Sequence, residues 1–401
     1  VNDPRDDMRI LAPRASKPKF DYLEREVRST PGGMRFTRRE ALGLAGLALL
    51  AAACGSSGSG SGSGSQLENH LEIYNWSEYD DPSTYTKFKQ LPAEKKVGMT
   101  VHETYYASND ELLAKLNAGA GNYDIIVPSQ NAVAQLIDEK KLMAIDPAKV
   151  PNLKNLDPSF RKASYDPTGQ YHVIKDFGIT MFYFLNTVVK DDPKDLMDFY
   201  NLLPKYVAQG RTNILEGAEE VVPLALMALG LDPNTTSQSD FDQVRTFLLS
   251  IRKGVTTIAS SGYIDDASAG KIILGQGWNG DVRRIVQARK AQGDVTAVIP
   301  TGASEIWADN WCIPAGAPHP NAAHAWINWL LTPSTAVTEM NYHNYQIPIP
   351  SALNQMPAEV RDDPIFNVPK SFTDGYKYIL NVNPEVVQKR TEITTEFQAA
   401  G

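Results

Sequence analysis

The chain has 401 residues, 42% of them apolar, enough to build a sizeable core and more than one domain. Its formal charge is −8 at pH 7, and the first 53 residues are net basic, so the remainder is more acidic still. That sign excludes the basic footprint that nucleic-acid phosphates require and suits small cations; two cysteines, Cys54 and Cys312, exclude a disulfide framework.

Residues 1–33 are rich in charge, show no sustained apolar period and are expected to be an extension without a fold of its own, non-native or disordered. Met34 opens a different pattern. Arg35-Phe36-Thr37-Arg38-Arg39 is a positive segment, Ala41 to Ala53 carries no charge, and Ala51-Ala52-Ala53-Cys54 ends the run in small residues. This predicts an export signal over 34–53, too short to span a bilayer. Thr37-Arg38-Arg39 resembles a twin-arginine signal, and Ala-Ala-Ala-Cys resembles a lipobox, whose cysteine becomes the lipidated first residue of the mature protein. Translation is accordingly expected to start at Met34. Gly55 to Ser65 is Gly and Ser only, a flexible tether reaching about 17–20 Å; residues 54–66 thus read as a lipidated Cys54 with its linker.

From Leu67 onward, short apolar runs alternate with helical periods, which predicts an α/β architecture. Ile73-Tyr74 leads as a buried strand into Asn75-Trp76-Ser77-Glu78-Tyr79, so aromatic faces and acids sit at the carboxyl end of the first strand, where open α/β folds bind ligands. Ser108-Asn109-Asp110-Glu111 is a capping box for a helix closed by Gly119 or Gly121. Tyr123 to Ser129 reads as a buried strand stopped by Pro128, and Phe177 to Asn186 as a third apolar run. Ser239-Asp240-Phe241-Asp242 is expected to cap a helix through Ile251, and Pro320 to Leu331 reads as an amphipathic helix stopped by Pro333.

No Gly-x-Ser-x-Gly elbow, His-Glu-x-x-His or Walker loop occurs, so catalysis is not predicted, and no cofactor is expected. The six histidines are scattered without ligand spacing, which gives no metal site. Cys312 lies in an apolar strand and reads as core.

What recurs is an aromatic beside an acid. Gly277-Trp278-Asn279-Gly280-Asp281 is expected to project Trp278 and Asp281 from a glycine-rich loop. Alternation in Ile306-Trp307-Ala308-Asp309 places Trp307 and Asp309 on one face of a strand. Tyr345 is expected in a loop before Gln346-Ile347-Pro348, and Glu219-Glu220 opens an apolar helix, where a carboxylate also suits the helix dipole. Singly, each aromatic fits a core and each acid a solvated surface; their repetition along the chain is what points to a site. Aromatic walls with fixed carboxylates suit an extended organic polycation, because carboxylates pair ammonium groups while indole and phenol faces cover the methylenes.

Ile73-Tyr74-Asn75-Trp76-Ser77-Glu78-Tyr79, Asp124-Ile125-Ile126-Val127-Pro128-Ser129, Gly277-Trp278-Asn279-Gly280-Asp281 and Trp307-Ala308-Asp309 resemble, in order and spacing, the spermidine/putrescine-binding proteins of bacterial ABC importers. The resemblance runs from about Leu71 to the C-terminus. It implies a two-lobed periplasmic-binding-protein fold of type II-like form, each lobe a mixed sheet flanked by helices, with ligand in the cleft between them. The lobes would be 67–180 plus 308–353 and 181–307 plus 354–401. Carried over position by position, Trp76 and Tyr79 are implied as aromatic walls with Ser77 and Ser129 beside them. Glu220, Asp281 and Asp309 are implied as ammonium-pairing acids, with Glu78 ranked behind them, and Trp278, Trp307 and Tyr345 as the remaining walls.

Three positions depart from the spermidine-preferring pattern. Asn131 stands where those members have a tyrosine and Gly217 where they have an aspartate, and near Leu380 there is no counterpart of a late glutamine. The Asp281 position and the Ser77-Glu78 pair are similar to the putrescine-preferring branch, so the choice of polyamine stays open. The implied partners are a polyamine, an ABC permease and a membrane reached through Cys54, with no cofactor; a monomer on the outer face of the cytoplasmic membrane is expected. Two other readings stand beside this one. The first is a receptor for another amine or a neutral solute such as a sugar, which would survive neutralising Asp281 and Asp309. The second is an exported carboxylate hydrolase, which would turn over polysaccharide.

Overall fold

The first strand, β1 (His70–Trp76), buries Leu71, Ile73 and Tyr74 and pairs in parallel with β2 (Thr100–Tyr106) on one side and β3 (Ile125–Ile126) on the other. The computed structural model describes residues 66–401 except 78, 107, 120 and 121. The export signal, Cys54, the Gly/Ser tether and Glu78 lie outside the described residues, all of which belong to one compact unit, Gly64–Gly401. Between β2 and β3 runs helix α1 (Asn109–Asn117). Its predicted cap is present: the Ser108 hydroxyl accepts from the Glu111 N–H at 3.1 Å. Gly119, at φ 65°, follows it in the left-handed region that favours glycine. The predicted strand Tyr123–Ser129 is buried from Tyr123 to Pro128, but only Ile125 and Ile126 join the ladder before helix α2 (Gln130–Asp138) begins.

The long strand β4 (Val173–Leu185) is buried along all thirteen residues and serves two neighbourhoods. Its first half pairs antiparallel with β9 (Ile306–Trp311), from Val173↔Trp311 to Ile179↔Ile306. Its second half pairs antiparallel with β7 (Ile272–Trp278), from Thr180↔Trp278 to Phe184↔Leu274, and with β8 (Val295–Val298) on the other edge. Parallel strands β5 (Arg211–Ile214) and β6 (Thr257–Ile258) extend this sheet in the order β6-β5-β7-β4-β8. Bridges Ile126↔Cys312 and Ser129↔Asp309 tie the end of β9 to the first sheet. Cys312 is a buried free thiol, as its apolar context implies.

Two apolar cores follow the two sheets. Ile73, Ile126, Ile174, Ile179 and Trp326 belong to one; Phe182, Phe199, Leu224, Phe241 and Phe397 belong to the other. Helix α3 (Ala218–Ala228) is buried from Glu220 to Met227, and helix α4 (Gln238–Ile251) follows it. The cap of α4 is Ser237, not Ser239: its hydroxyl accepts from the Asp240 N–H, so the helix starts one residue ahead of the predicted box. Helix α5 (Asn279–Ala288) starts immediately after β7. Helix α6 (Pro320–Leu330) ends close to where the sequence predicts. Pro333 is not only a stop, because it occupies the first turn of helix α7 (Pro333–His343), where the missing N–H has no intrahelical partner to lose. Helix α8 (Pro384–Ala399), capped by Asn383, packs on α3. Among the described residues no helix is long and apolar enough to cross a membrane, and no group of His, Cys, Asp or Glu is arranged to hold a metal ion.

Candidate functional site

The middle of β4 is the spine of the site. Asp176 pairs with Asp309, Gly178 with Trp307, and Thr180 with Trp278, so predicted residues from β9 and β7 come onto one strand at alternate positions. Glycine is required at 178 for close approach. A Cβ there would stand 2.3 Å from Cζ2 of Trp307 and 2.3 Å from the side-chain oxygen of Asn279.

Around the Asp309 end, Ser129 Oγ donates to Asp309 Oδ1 at 2.6 Å. The Tyr79 hydroxyl lies 2.7 Å from Asp309 Oδ2 and 2.5 Å from Asp176 Oδ1. Burial, and then the neighbouring Asp176, push the Asp309 carboxyl up to about 7. Behind Tyr79 sits a buried cation: Lys175 Nζ is 3.2 Å from Asp176 Oδ2, 3.1 Å from Asp80 Oδ1 and 3.6 Å from the centroid of the Tyr79 ring. Burial alone would lower the Lys175 pKa, but Asp176 and Asp80 outweigh it and hold the ammonium charged. The His343 ring adds a contact. Its Nδ1 accepts the Tyr345 N–H at 3.0 Å, which leaves the proton on Nε2, 3.4 Å from Asp176 Oδ2.

At the other end, Asp281 accepts from Tyr263 at Oδ2 (2.8 Å) and from Tyr345 at Oδ1 (3.1 Å). It does not project from a loop as the glycines suggest. Helix α5 begins at Asn279, and Asp281 occupies its first turn, where the dipole favours an anion. Burial raises its pKa against those two hydroxyl donors. Trp307 and Tyr345 meet edge to face, with ring centroids 4.9 Å apart, and Tyr345 lies in the chain after α7, outside any helix or strand. Glu220, in the first turn of α3, accepts the indole N–H of Trp278 at 3.1 Å. Its carboxyl is pushed well above the ordinary range by burial first and by Glu305 next. Glu305 accepts from Thr180 Oγ1 at 2.7 Å and is itself raised to about 7 by burial.

The structure thus gathers Tyr79, Ser129 and Asp309 in one group, Trp307, Tyr345 and Asp281 in a second, and Glu220 with Trp278 in a third, all along β4. Trp76 is partly exposed at the end of β1; its indole N–H donates to the Val127 carbonyl at 2.9 Å and its ring packs on Tyr106. Ser77 is exposed in the following turn, and no hydrogen bond among the described residues links it to these groups. Lys175, Asp176, Asp80, His343, Tyr263 and Glu305 take part and are missing from the sequence-based set. Lys175-Asp176 carries a readable signal, since an adjacent charge pair inside an apolar strand must be partnered. Tyr263 and Glu305 have no such mark.

Residues 86–368 match the family model described as bacterial extracellular solute-binding protein. The chain is 30% identical to the spermidine/putrescine-binding periplasmic protein of Escherichia coli K12, over 74% of this chain and 82% of that one. It is 28% identical to the putrescine-binding periplasmic protein PotF of the same organism, over 89% of this chain and 97% of that one. Among solved structures it shares its fold with the spermidine/putrescine substrate-binding protein PotD of Streptococcus pneumoniae: TM-score 0.72 at 24% identity, covering 83% of this chain and 99% of that one. The chain belongs to the bacterial extracellular solute-binding protein family, in the branch of the spermidine/putrescine-binding proteins of ABC transporters.

Proposed function

We propose that this protein captures a linear polyamine, putrescine or spermidine, and presents it to an ABC permease, with no catalytic step. The observation that carries this reading is the placement of two hydroxyl-held carboxylates, Asp309 and Asp281, at either side of the Trp307–Tyr345 aromatic pair. Each carboxylate pairs an ammonium group, and the rings between them cover the methylenes. Trp76, Ser77 and Trp278 border the same ligand, with Glu220 a further acid.

The lobes in this reading are 67–180 plus 308–353 and 181–307 plus 354–401, closing about β4. The change of β4 partner between Ile179 and Thr180 supports that hinge. We further infer attachment to the outer face of the cytoplasmic membrane through lipidated Cys54, on the strength of the lipobox-like sequence and the Gly/Ser tether. Calorimetry against putrescine, spermidine and spermine, on protein freed of carried-over ligand, is the test. Binding at micromolar affinity or better is expected for at least one, worth about −8 kcal/mol, and no heat with any of them at pH 7 overturns the reading.

A further inference from the structure

The hydrogen bonds at Asp309 contain a proton count that goes beyond ligand contact. Tyr79 has one hydroxyl proton, yet its oxygen lies within hydrogen-bond distance of two carboxyl oxygens, Asp176 Oδ1 at 2.5 Å and Asp309 Oδ2 at 2.7 Å. A phenol donates to only one of them, so the other carboxyl must be the donor, and the pair carries one proton. Burial raises the Asp176 carboxyl, but Lys175 Nζ donates to its Oδ2 at 3.2 Å while no cation among the described residues is bonded to Asp309, so of the two carboxyls Asp176 is the one paired as the anion. The proton therefore resides on Asp309, giving the relay Asp309 acid to Tyr79 hydroxyl to Asp176 carboxylate.

Ser129 donates to the remaining Asp309 oxygen, and Tyr106, the other ionisable group facing Asp309, donates its hydroxyl to the Val127 carbonyl and stays neutral. Asp80 and Glu339 lie on the far side of Lys175, balancing it. Asp281 is built otherwise. Each of its oxygens has its own phenol donor, so no extra proton is needed there.

We propose that Asp176 is a positioning residue for ligand capture: acting through Tyr79 it keeps a proton on Asp309, and that proton passes to solvent when an ammonium group docks on Asp309. This deepens the polyamine reading and rests on it. The step balances as Asp309 carboxylic acid plus ammonium giving carboxylate–ammonium pair plus one released H⁺. Binding then follows the linkage between proton release and pH. With the Asp309 carboxyl titrating near 7, the dissociation constant rises about tenfold per pH unit below that value and levels off above it.

The test is calorimetry with putrescine at pH 6 in phosphate and in imidazole, whose different ionisation heats report the protons released. Primary ammonium groups, with pKa values about 10, keep their own protons there. The expected result is close to one proton per ligand for the wild type, and about one fewer for Asp176→Asn. In that variant the Tyr79 proton serves Asp309 alone, and the pH dependence flattens. Because Asp176 is buried and that variant could fail to fold, ligand-induced infrared difference spectra of the wild type supply a second measurement. A protonated-carboxyl band is expected to vanish on adding putrescine, to be missing from Asp309→Asn and to persist in Glu305→Gln. Putrescine binding without proton release, or release unchanged in Asp176→Asn, overturns the proposal alone; absence of binding to any polyamine overturns the parent reading and this proposal with it.

Discussion

Asp309 is the residue on which both the chemistry and the stability of the site turn. Its buried carboxyl has two hydroxyl neighbours and a raised pKa, so a neutral amide of the same shape fits its pocket. Asp309→Asn is therefore expected to fold normally while losing about 2–5 kcal/mol of polyamine binding, because the ammonium is left without its charge partner. Tyr345→Ala removes a wall and one donor to Asp281, and a cation–π contact is worth only about 0.5–2 kcal/mol. Side-by-side calorimetric titrations check the order, and equal losses would refute the roles assigned. Gly178 makes a third residue-scale case. A methyl there must displace Trp307 and Asn279, so Gly178→Ala is expected to cost about 1–3 kcal/mol of stability and to weaken binding as well. Thermal denaturation together with titration would show whether both fall.

At the scale of elements, most of the site's supports were legible because their signals are local. The apolar lead-in of β1, the Ser108 cap and the aromatic–acid pattern around Trp307 are all properties of adjacent residues. What was not legible depends on distant partners. The strand β4 starts four residues before the predicted apolar run: the Lys175-Asp176 pair signals that partners are needed but not which ones, and Asp80, Tyr79 and His343 come from elsewhere to supply them. Likewise Ser237 outcompetes Ser239 as a cap, and Asn279 turns an apparent glycine loop into a helix start by donating to the Ile365 carbonyl and accepting from the Ile179 N–H. The C-terminal helix α8 is held the same way. The buried guanidinium of Arg390 donates to the carbonyls of Leu380 (2.9 Å) and Pro233 (2.7 Å), which fastens α8 to two chain segments at once. Arg390→Ala would leave both carbonyls unpaired and open a cavity, an expected loss of about 2–4 kcal/mol. Urea denaturation should show a lower midpoint at an unchanged slope; a wild-type midpoint would mean that packing on α3 alone holds the helix.

For the whole molecule, the buried acids along β4 set how stability varies with pH. Asp309 and Glu305 are raised to about 7, and Glu339, beside Thr84 and the Asp81 N–H, to about 8, in each case chiefly by burial. In the unfolded chain the same groups titrate near the ordinary carboxylate range, about 4. A carboxyl raised in the folded state favours folding most below its unfolded pKa, and that contribution is lost as pH climbs through the folded value. The two buried histidines with lowered pKa values, His324 and His343, act in the opposite sense, but only as pH falls below about 6.5. The window for the acids alone is therefore pH 6.5 to 8.5, and across it the ligand-free protein is expected to lose about 3–6 °C in Tm. A saturating polyamine should offset the Asp309 share of that loss, because an ammonium group stabilises its deprotonated carboxylate and ligand binding adds its own stabilisation to the folded state. Thermal scans at both pH values, with and without putrescine, read this out as a ligand-induced rise in Tm that is larger at pH 8.5. A ligand-free Tm that climbs across the window would mean the acids along β4 are already ionised at pH 6.5.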